Sequence, residues 1–573
     1  MTMSNTLSWA SRLLSFKSSS WKCATCRNTR QFAPHQPRGL ATAATTEDPR
    51  KQYYVTTPIF YVNAAPHVGH LYSMVIADVL KRWQVLLGNT NAQLLTGTDE
   101  HGMKIQRAAL AAGMDTQAFC DVNCKIFADL AKAANLSHDH FIRTTDTAHK
   151  EAVQYFWEML KLRGYLYESK HEGWYSVSDE TFYPSTAVRS ALDPSTGRKI
   201  TISTETQKEV EWSSETNYHF RLSAFTDRLL QFYKANQFFV RPHKYMLDVI
   251  GFVAPGLRDL SVSRPVERLT WAIRVPGDET QTIYVWLDAL VNYLTKAGYP
   301  FPPGQESKLG WPPDVHVIGK DIVRFHCIYW PAFLMALDLP LPRSVLVHGH
   351  WTINHEKMSK STGNVVNPFY AIDRFSADAL RFFLIYRGPR TDDADYDNKL
   401  IYRNYTKLLQ KGTGNFIFRI LGFAKWNLKP IIETAASGTL PTSSSQDEIY
   451  ESFIKMASSR VGSHMEKLDP TEALREIMEI LDKAQKYFHQ SEPWNEPAQS
   501  ARVVYNTCES LRIASILLQP FMPGKSAELL NLLQVDPSKR GFGAAIYGSD
   551  LTYGRNATKK PNELPFPPLL VEE

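Results

Sequence analysis

The chain has 573 residues, of which 43% are hydrophobic and 12% aromatic, a composition typical of a globular protein with several domains. No apolar run approaches the roughly 20 residues of a membrane-spanning helix, so we expect no membrane partner. The net charge of +6 comes entirely from residues 1–46, and the remaining residues carry 58 charges of each sign. A polyanionic partner must therefore be bound by local basic patches rather than by a general positive field.

The N-terminal segment differs in composition from the rest of the chain. It is rich in Ser and Arg and lacks acidic residues, and Leu7, Trp9, Leu13 and Leu14 could occupy one face of a helix. This pattern is typical of a mitochondrial transit peptide. We therefore predict a transit peptide over residues 1–45, removed near the sequence RGLATAA, and a location in the mitochondrial matrix. A disordered tail is the alternative interpretation.

The six cysteines do not form the dense pattern of a disulfide framework. Cys23 and Cys26 form one C-x-x-C motif with no second pair, and Cys120 and Cys124 lie four residues apart on a predicted helix. We predict that the cysteines are free thiols and that the protein binds no metal ion through them.

A strand–helix–strand unit opens the folded part of the chain. Residues 51–62 predict a buried strand, residues 74–88 have apolar residues at helical spacing, and residues 91–102 predict a second strand followed by a polar loop. Such a unit implies parallel strands, and ligands bind at the carboxyl ends of such strands. We assign residues 50–164 to the first half of a Rossmann-like α/β domain.

The pattern changes twice further along the chain. Residues 165–265 alternate polar and apolar residues, as antiparallel strands do, and predict a connective domain inserted into the parallel sheet. The α/β pattern resumes over residues 266–396, and long helical patterns dominate residues 397–573. The predicted fold is an α/β parallel sheet split by an insertion and followed by an all-α bundle, with a proline-rich extended tail at its end.

Two distant loops carry residues suited to binding phosphate. The sequence PHVGH places His67 and His70 at a helix N-terminus, where backbone N–H groups favour anions, and Gly69 leaves room for a ligand to approach the backbone. The sequence INHEKMSKSTGN places Lys357 and Lys360 in a flexible loop after the last strand of the sheet. Either loop alone is weak evidence, because a buried structural histidine and a solvated turn are the commoner meanings.

Together, H-x-G-H and K-M-S-K-S resemble the signature pair of class I aminoacyl-tRNA synthetases. In these enzymes an amino-acid carboxylate attacks the α-phosphate of ATP, and fixed donors stabilise the charge of the departing pyrophosphate. The resemblance implies ATP, as its Mg²⁺ complex, as a substrate. It makes His67, His70, Lys357 and Lys360 the catalytic residues. The implied ATP contacts are His67, Gly69, His70, Gly319, Asp321, Lys357, Met358, Ser359, Lys360 and Ser361.

Four further stretches narrow the resemblance to the methionyl-tRNA synthetases of bacteria and organelles. They are residues 56–83, 94–109, 285–293 and 317–337, and the likeness extends over about residues 52–535. It implies an apolar, aromatic pocket, in which the methionine sulfur packs against ring edges and Asp99 pairs with the α-ammonium group. The implied methionine-pocket residues are Ile59, Tyr61, Asp99, Trp286, Ala289, Tyr293, Ile322, Phe325, His326 and Trp330.

The resemblance also concerns three other positions. It implies a ribose or substrate contact for Asp288, and for Arg264 either a place near the active site or a structural ion pair. Many relatives carry a cysteine zinc knuckle in the inserted domain, but here Ser176 stands where a thiolate is expected and no C-x-x-C follows. We therefore predict that the inserted domain binds no zinc.

The start of the helical region is basic. Lys399, Arg403, Lys407 and Lys411 follow one another at intervals of four residues, and residues 398–432 contain seven basic residues and no acidic one. Four-residue steps drift by about 40° around an ideal helix, so the pattern predicts a winding stripe. A solvated helix face is the usual meaning of such a run.

Three residues of the helical region match the anticodon-reading positions of the methionyl-tRNA synthetases. Asn415 and Arg419 match the residues that read base edges, and Trp494 matches a tryptophan on which a base stacks. Gln485 stands where the family commonly has Asn, so we assign it no role. No further RNA-binding barrel follows, and we expect a monomer.

The resemblance implies an enzyme that converts methionine and ATP into methionyl-AMP and transfers the acyl group to methionine tRNA, the initiator included, for mitochondrial translation. A class I synthetase of the cysteine or the valine, leucine and isoleucine groups is one alternative, against which the aromatic pocket argues. The other is a non-catalytic RNA-binding protein on a synthetase scaffold. That alternative predicts decay of the phosphate loops, whereas His67, His70, Lys357 and Lys360 are all present.

Overall fold

The computed structural model describes residues 51–177, 181–193, 195–302, 305–306, 310–358, 364–422, 426–495, 497–554 and 564–570, with residues 171, 181, 357 and 497–499 described for their backbone alone. The predicted transit peptide at residues 1–45 lies outside the described residues, and so do Ser359, Lys360 and Ser361. Within the described ranges, no helix is both long enough and apolar enough to cross a membrane.

The predicted strand–helix–strand unit is present. The elements of residues 54–162 are β1 (Tyr54–Thr56), β2 (Phe60–Tyr61), α1 (Val68–Leu86), β3 (Gln93–Asp99), α2 (Met103–Ala111), α3 (Thr116–Ala133), β4 (His140–Arg143) and α4 (Thr147–Leu162). The helix α1 begins at Val68, earlier than the apolar spacing predicts, because His67 caps it and the H-x-G-H motif forms its first turn. Gly88 follows the helix with a φ of +99°, which agrees with the predicted glycine stop.

Antiparallel strands dominate the next segment, as the alternating pattern predicts. Its elements are β5 (Leu166–Ser176), β6 (Thr181–Tyr183), β7 (Val188–Leu192), β8 (Lys199–Ser203), β9 (Glu211–Phe220), α5 (Thr226–Ala235), β10 (Val240–Arg241), α6 (His243–Val253), β11 (Leu260–Ser261), β12 (Ser263–Pro265), β13 (Arg274–Val275) and β14 (Asp278–Ile283). The strand β12 pairs with β14, so this strand pairing crosses the predicted boundary at residue 265. The domain boundaries themselves stay a prediction.

The α/β pattern then returns, and helices follow it. The elements are α7 (Val285–Lys296), β15 (Val315–Gly319), a π-helix (Phe325–Tyr329), α8 (Trp330–Ala336), β16 (Ser344–His348), β17 (Trp351–Ile353), β18 (Glu356–Lys357), α9 (Pro368–Phe375), α10 (Ala377–Tyr386), β19 (Ala394–Asp395), α11 (Asn398–Asn404), a second π-helix (Tyr405–Gly414), α12 (Asn415–Gly422), α13 (Leu428–Ala436), α14 (Ser445–Lys455), α15 (Ala457–Glu466), α16 (Pro470–Gln490), α17 (Pro497–Leu518) and α18 (Pro523–Leu532). The described part of residues 398–532 is thus mainly helical, as predicted. Short 3₁₀ turns complete the described chain, at Ser185–Ala187, Leu222–Phe225, Lys320–Ile322, Pro537–Lys539 and Phe542–Ala544.

A seven-stranded parallel sheet forms the centre of the α/β region. Its strand order is β10–β16–β15–β1–β3–β2, with β4 paired to β3. The strand β10 thus returns to this sheet from inside the range predicted as the insertion. The two neighbours of β1 in the sheet are β3 on one side and β15 on the other. The strand order therefore reverses at β1, and a crevice opens at the carboxyl end of this strand. Open α/β sheets bind ligands in such a crevice.

Helices cover both faces of this sheet. Successive residues of its strands point to opposite faces: Val55 and Leu94 pack in one cluster, whereas Tyr54 and Leu95 pack in the other. The cluster around Val55 continues through α1 and α10 into the helical region, where Ile477 of α16 belongs to it. The sheet and the helical region therefore share one apolar core.

The proline-rich segment near residue 566 packs onto the second π-helix. The Phe566 side chain is 1% exposed and lies in the shared core. The hydroxyl of Tyr405 donates to the carbonyl of Pro567 at 2.7 Å. A Cβ on Gly414 would lie 3.3 Å from the Phe566 ring, so a small residue is needed at the end of this π-helix.

A buried ion pair joins α1 to α10 and to the helical region. The Arg381 guanidinium, 1% exposed, lies 2.6 Å from the carboxylate of Asp78 and also donates to the carbonyls of Pro520 and Phe521. Burial alone would raise the pKa of Asp78, but Arg381, Arg82 and hydrogen bonds from Ser137 hold it below its usual value. The ion pair thus connects the middle of α1 with α10 and with the loop between α17 and α18.

We expect Arg381→Met to lower the free energy of unfolding by about 3–5 kcal/mol, because it leaves the Asp78 charge buried without its principal partner. Urea unfolding followed by circular dichroism measures the change. Arg324→Met is the matched control, since Arg324 forms an exposed ion pair with Glu205 and its loss should cost less than about 1 kcal/mol. Equal effects of the two substitutions would contradict the prediction.

Candidate active site

The H-x-G-H motif forms a reciprocal cap at the N-terminus of α1. The Nδ1 of His67 accepts a hydrogen bond from the backbone N–H of Gly69 at 3.0 Å, and the Nδ1 of His70 accepts from the backbone N–H of His67 at 3.0 Å. Because both Nδ1 atoms are acceptors, the proton of each neutral ring is on Nε2. Two imidazoles with centroids 3.9 Å apart therefore direct Nε2–H donors from a helix N-terminus.

Gly69 is required by this cap. A Cβ at this position would lie 2.8 Å from Cε1 and 2.9 Å from Nδ1 of His67, closer than real Cβ contacts come. The His67 ring therefore occupies the side of Gly69 on which a Cβ would lie. That Gly69 lets a ligand approach the backbone stays a prediction.

A buried hydrogen bond joins α1 to the last strand of the parallel sheet. The Nδ1–H of His348, at the end of β16, donates to the carbonyl of Gly349 at 2.8 Å, so its Nε2 accepts from the Ser73 hydroxyl at 2.8 Å. Burial lowers the pKa of His348 to about 4, which keeps the ring neutral. Sequence analysis gave His348 no role. Its position at the carboxyl end of a predicted strand could have identified it, because ligands bind at that end of a parallel sheet.

The chain on both sides of the K-M-S-K-S loop is fixed to other parts of the fold. Lys357 belongs to the β17–β18 hairpin, and the Met358 side chain is buried in the shared core. On the far side of the loop, the carbonyl of Val366 accepts from the backbone N–H of Val68 at 3.3 Å. The chain that follows the loop thus contacts the residue next to His67, and the lysine side chains lie outside the described residues.

The G-K-D segment after β15 forms a second polar group at this edge. The Oδ1 of Asp321 lies 3.1 Å from the Nε2 of His350, and the Lys320 ammonium forms an ion pair with Asp393 at 2.7 Å. A Cβ on Gly319 would lie 2.9 Å from the Asp321 carboxylate, so a glycine fits where the strand ends. The Asp321 side chain remains 50% exposed.

Five of the predicted methionine-pocket residues contact one another. The Trp286 ring stacks on Phe325, with centroids 3.6 Å apart and an interplanar angle of 11°. The Nδ1–H of His326 donates to the carbonyl of Ile322 at 3.0 Å, so its Nε2 accepts from the Tyr293 hydroxyl at 2.7 Å. Burial lowers the pKa of His326 to about 4, which preserves the acceptor at neutral pH.

The other predicted pocket residues lie around this group. Tyr61 pairs in register with Asp99 across β2 and β3, and Asp99 is 3% exposed. The Trp330 ring lies 6.1 Å from that of Tyr293. Ile59 packs against the same apolar cluster as these residues, and Ala289 is buried on α7.

Sequence analysis predicted a ribose or substrate contact for Asp288, and in the structure its carboxylate is hydrogen-bonded to two histidines. Its two carboxylate oxygens accept from the Nδ1 of His101 and the Nε2 of His149, each at 2.7 Å. Burial alone would raise the pKa of Asp288, but the two imidazoles lower it to about 2. Asp288 thus positions the loop after β3 against α4. Sequence analysis missed both histidines, because they lie far from Asp288 in the chain.

Arg264 is a structural residue of the inserted strands. It is 2% exposed, and its guanidinium lies 4.8 Å from the ring centre of Tyr284, 5.2 Å from that of Phe182 and 5.3 Å from that of Tyr175. Its Nη1 also donates to the hydroxyl of Ser261 at 2.9 Å. Cation–π contacts thus surround Arg264, and its place near the active site stays a prediction.

The expected zinc position carries a hydroxyl. Ser176 ends β5 and is fully buried. Across the part of the chain that the structure describes, no three His, Cys, Asp or Glu side chains are grouped as a metal ion requires. That the inserted domain binds no zinc stays a prediction.

The predicted anticodon residues lie at the meeting point of α12 and the end of α16. Asn415 and Arg419 are exposed and one turn apart on α12. The Arg419 guanidinium donates to the Nε2 of His489 at 2.7 Å, and the partly exposed Trp494 ring lies 6.1 Å from the His489 ring. Trp494 also packs edge-on against Phe488 at 5.8 Å. Sequence analysis missed His489, whose role is visible only once α12 and α16 are placed together.

Comparison with known proteins agrees with this geometry. Residues 53–421 match the family model described as tRNA synthetases class I (M). The chain is 50% identical over 572 residues to a probable mitochondrial methionine–tRNA ligase of Neurospora crassa, covering 97% of this chain and 92% of that protein. It is 44% identical over 504 residues to a probable mitochondrial methionine–tRNA ligase of Schizosaccharomyces pombe, covering 87% of this chain and 92% of that one.

A solved structure shows the same fold. The structure of Mycobacterium tuberculosis methionyl-tRNA synthetase in complex with methionyl-adenylate is 37% identical in sequence and superimposes with a TM-score of 0.81, covering 90% of this chain and all of that one. The predicted fold class, a class I synthetase sheet followed by a helical region, is confirmed. The chain belongs to the methionyl-type class I tRNA synthetases.

Proposed function

We propose that this protein is a methionine–tRNA ligase, which makes methionyl-AMP and pyrophosphate from methionine and ATP and then transfers the methionyl group to methionine tRNA. The observation that carries the proposal is the hydrogen bond from Val68 to Val366, which brings the K-M-S-K-S loop to the H-x-G-H cap. One triphosphate lying across the end of α1 would then be within reach of both motifs. The names of the Neurospora, Schizosaccharomyces and Mycobacterium proteins support the same activity.

The first step needs donors for the phosphates rather than a protein nucleophile. His67 and His70 are oriented by backbone hydrogen bonds before ATP arrives, so binding costs little reorganisation. Lys357 and Lys360 belong to a loop whose two ends are fixed, and loop closure would bring their ammonium groups over the β- and γ-phosphates. We include Gly69, Gly319, Asp321, Met358, Ser359 and Ser361 in the proposed ATP site, with Mg²⁺ as part of the ATP substrate.

The pocket beside this site suits a thioether side chain. Trp286, Phe325 and Trp330 supply ring edges, against which sulfur packs favourably. The Tyr293–His326 hydrogen bond gives the pocket one fixed polar edge. We assign Asp99 to the methionine ammonium group, because it is buried where β3 ends, opposite Tyr61. A valine or cysteine substrate would leave much of this aromatic pocket unfilled.

The helical region supplies a place for the anticodon. Asn415, Arg419 and Trp494 lie close to one another on its surface and combine an amide, a guanidinium and an indole ring. Amide and guanidinium groups read base edges, and an indole ring stacks on an unpaired base. The mitochondrial names of the relatives support a mitochondrial location. We further propose the matrix as the compartment, the initiator among the tRNA substrates and a monomer as the active form.

We expect His67→Asn to lower the turnover of methionine-dependent ATP–pyrophosphate exchange by about 10²–10³, because the shorter side chain removes the Nε2–H donor. Asparagine is itself a good N-cap residue, so thermal stability should change little. Asp115→Asn, at the N-cap of α3, is the matched control and should leave exchange unchanged. Normal exchange in the His67 variant would refute the proposed role.

We expect Tyr293→Phe to raise the KM for methionine about 3- to 10-fold, because one buried hydrogen bond to His326 is lost while the ring is retained. The KM for ATP should stay the same in the same exchange assay. Tyr405→Phe removes a comparable hydrogen bond in the helical region and serves as the control. If both substitutions raise the methionine KM equally, Tyr293 does not belong to the pocket.

We expect Trp494→Ala to weaken tRNA binding by about 1–3 kcal/mol, the contribution of one base stacked on a ring. The KM for tRNA in aminoacylation should rise accordingly, whereas ATP–pyrophosphate exchange without tRNA should not change. Phe238→Ala, which removes a ring that is 65% exposed outside this surface, is the control. Equal damage to exchange and aminoacylation would contradict the assignment.

A further inference from the structure

An ion pair joins the inserted strands to the loop that carries two predicted pocket residues. The Nη1 of Arg324 donates to the Oε2 of Glu205 at 3.0 Å, across 119 residues of sequence. Glu205 lies in the turn between β8 and β9, and Arg324 lies between Ile322 and Phe325, at the start of the first π-helix. The strands β7 and β8 form a two-stranded sheet of their own. The orientation of this hairpin against the parallel sheet therefore depends on side-chain contacts such as the Glu205–Arg324 pair.

The turn that carries Glu205 is held by its own hydrogen bonds. The Ser203 side chain is fully buried, and its hydroxyl oxygen accepts from the backbone N–H groups of Glu205 at 3.2 Å and of Thr206 at 3.3 Å. The Nη2 of Arg189 on β7 donates to the Oε1 of Gln207 at 2.6 Å, which ties the turn to the neighbouring strand. The backbone of Glu205 is thus fixed, so little conformational entropy is lost when its carboxylate meets Arg324.

Arg324 is held on its other side by an aromatic ring. Its guanidinium lies 4.1 Å from the ring centre of Phe252 on α6, a cation–π contact. The next residue is Phe325, whose ring stacks on Trp286 with centroids 3.6 Å apart. Both stacked rings are partly exposed, so the stack lies where the pocket meets solvent. A displacement of Arg324 would shift this stack, because a single peptide bond joins Arg324 to Phe325.

The ion pair is too exposed to contribute much to folding. The side chains of Arg324 and Glu205 are 42% and 46% exposed, and exposed ion pairs add little to stability. A contact of this strength can still shift the balance between two positions of the hairpin. Such a shift changes the apparent affinity for a substrate by the same factor as the population of the binding-competent position. The measurable consequence of the pair is therefore substrate binding rather than stability.

We infer that Glu205 is a positioning residue for methionine binding, which holds the segment of Ile322 and Phe325 in place through Arg324. The inference rests on the proposed function, which assigns these two residues to the methionine pocket. It gives the inserted strands a part in substrate binding, because their hairpin keeps the pocket in its binding-competent arrangement. Loss of the pair then raises the KM for methionine and leaves the chemical step intact.

The test is a charge swap in the full-length chain, measured by methionine-dependent ATP–pyrophosphate exchange. Glu205→Arg places two cations together, so we expect the KM for methionine to rise about 3- to 10-fold, with kcat and the KM for ATP within about 2-fold of the unmodified chain. Arg324→Glu should also raise the KM for methionine. The double variant Glu205→Arg/Arg324→Glu restores the pair with its ends exchanged, and its KM should be about 3-fold or more below that of either single variant.

Ionic strength separates an effect of charge from a defect in the turn. Salt screens exposed charges, so the KM for methionine of Glu205→Gln should exceed that of the unmodified chain by about 2- to 5-fold at about 50 mM KCl, and the two values should converge at about 1 M KCl. A structural defect in the turn would persist at high salt. Equal ratios at the two salt concentrations would therefore contradict the inference.

Glu172→Arg is the matched control. The Glu172 side chain is also 46% exposed on the inserted strands, but it pairs at 2.5 Å with Lys170 of its own strand, β5. This substitution should leave the KM for methionine unchanged. An unchanged KM in Glu205→Arg, no recovery in the double variant, or an equal rise in the control would overturn the inference and leave the pair as an ordinary surface contact. If the unmodified chain shows no methionine-dependent exchange, the proposed function itself fails, so the two failures are distinguishable.

Discussion

The contact between Arg381 and Asp78 is the constraint on which the arrangement of this protein depends. It lies in the middle of α1, the helix whose first turn carries His67 and His70. Arg381 also donates to carbonyls at residues 520 and 521, so a single guanidinium connects α1 with the loop between α17 and α18. Because the pair is fully buried, the protein bears a large desolvation cost for it, and only good geometry offsets that cost. The position of the H-x-G-H cap is therefore coupled to the packing of the C-terminal helices.

Near that helix, the candidate site contains several neutral imidazoles, and hydrogen bonds determine which nitrogen of each ring carries the proton. In each case a backbone group decides which nitrogen carries the proton: backbone N–H groups for His67 and His70, and backbone carbonyls for His326 and His348. Burial lowers the pKa of the last two rings to about 4, so they remain neutral throughout the physiological range. Oriented dipoles of this kind stabilise a developing charge without a proton transfer. Asp288, in contrast, stays anionic and keeps two further histidines in place.

Much of this was predictable from the sequence, because the signals were local. The strand–helix–strand unit and Gly88 as the helix stop follow from short stretches with a clear pattern, whereas the residues of the proposed methionine pocket were assigned from the resemblance to the methionyl-tRNA synthetases. The apolar spacing alone places the start of α1 too late, at Met74, whereas the H-x-G-H motif was already expected at a helix N-terminus. The partners of Asp288, Arg264 and Arg419 were missed because each pairs with residues that are distant in the chain. The second π-helix was missed because nothing in the composition of residues 405–414 indicated it.

The packing of Phe566 has a consequence for how the chain matures. This ring completes the core beneath the second π-helix, yet the ribosome adds it more than 150 residues after Tyr405 and Gly414, which it contacts. The π-helix therefore lacks one of its supports until residue 566 has been synthesised. The packing of this segment is thus a late step in the assembly of the helical region.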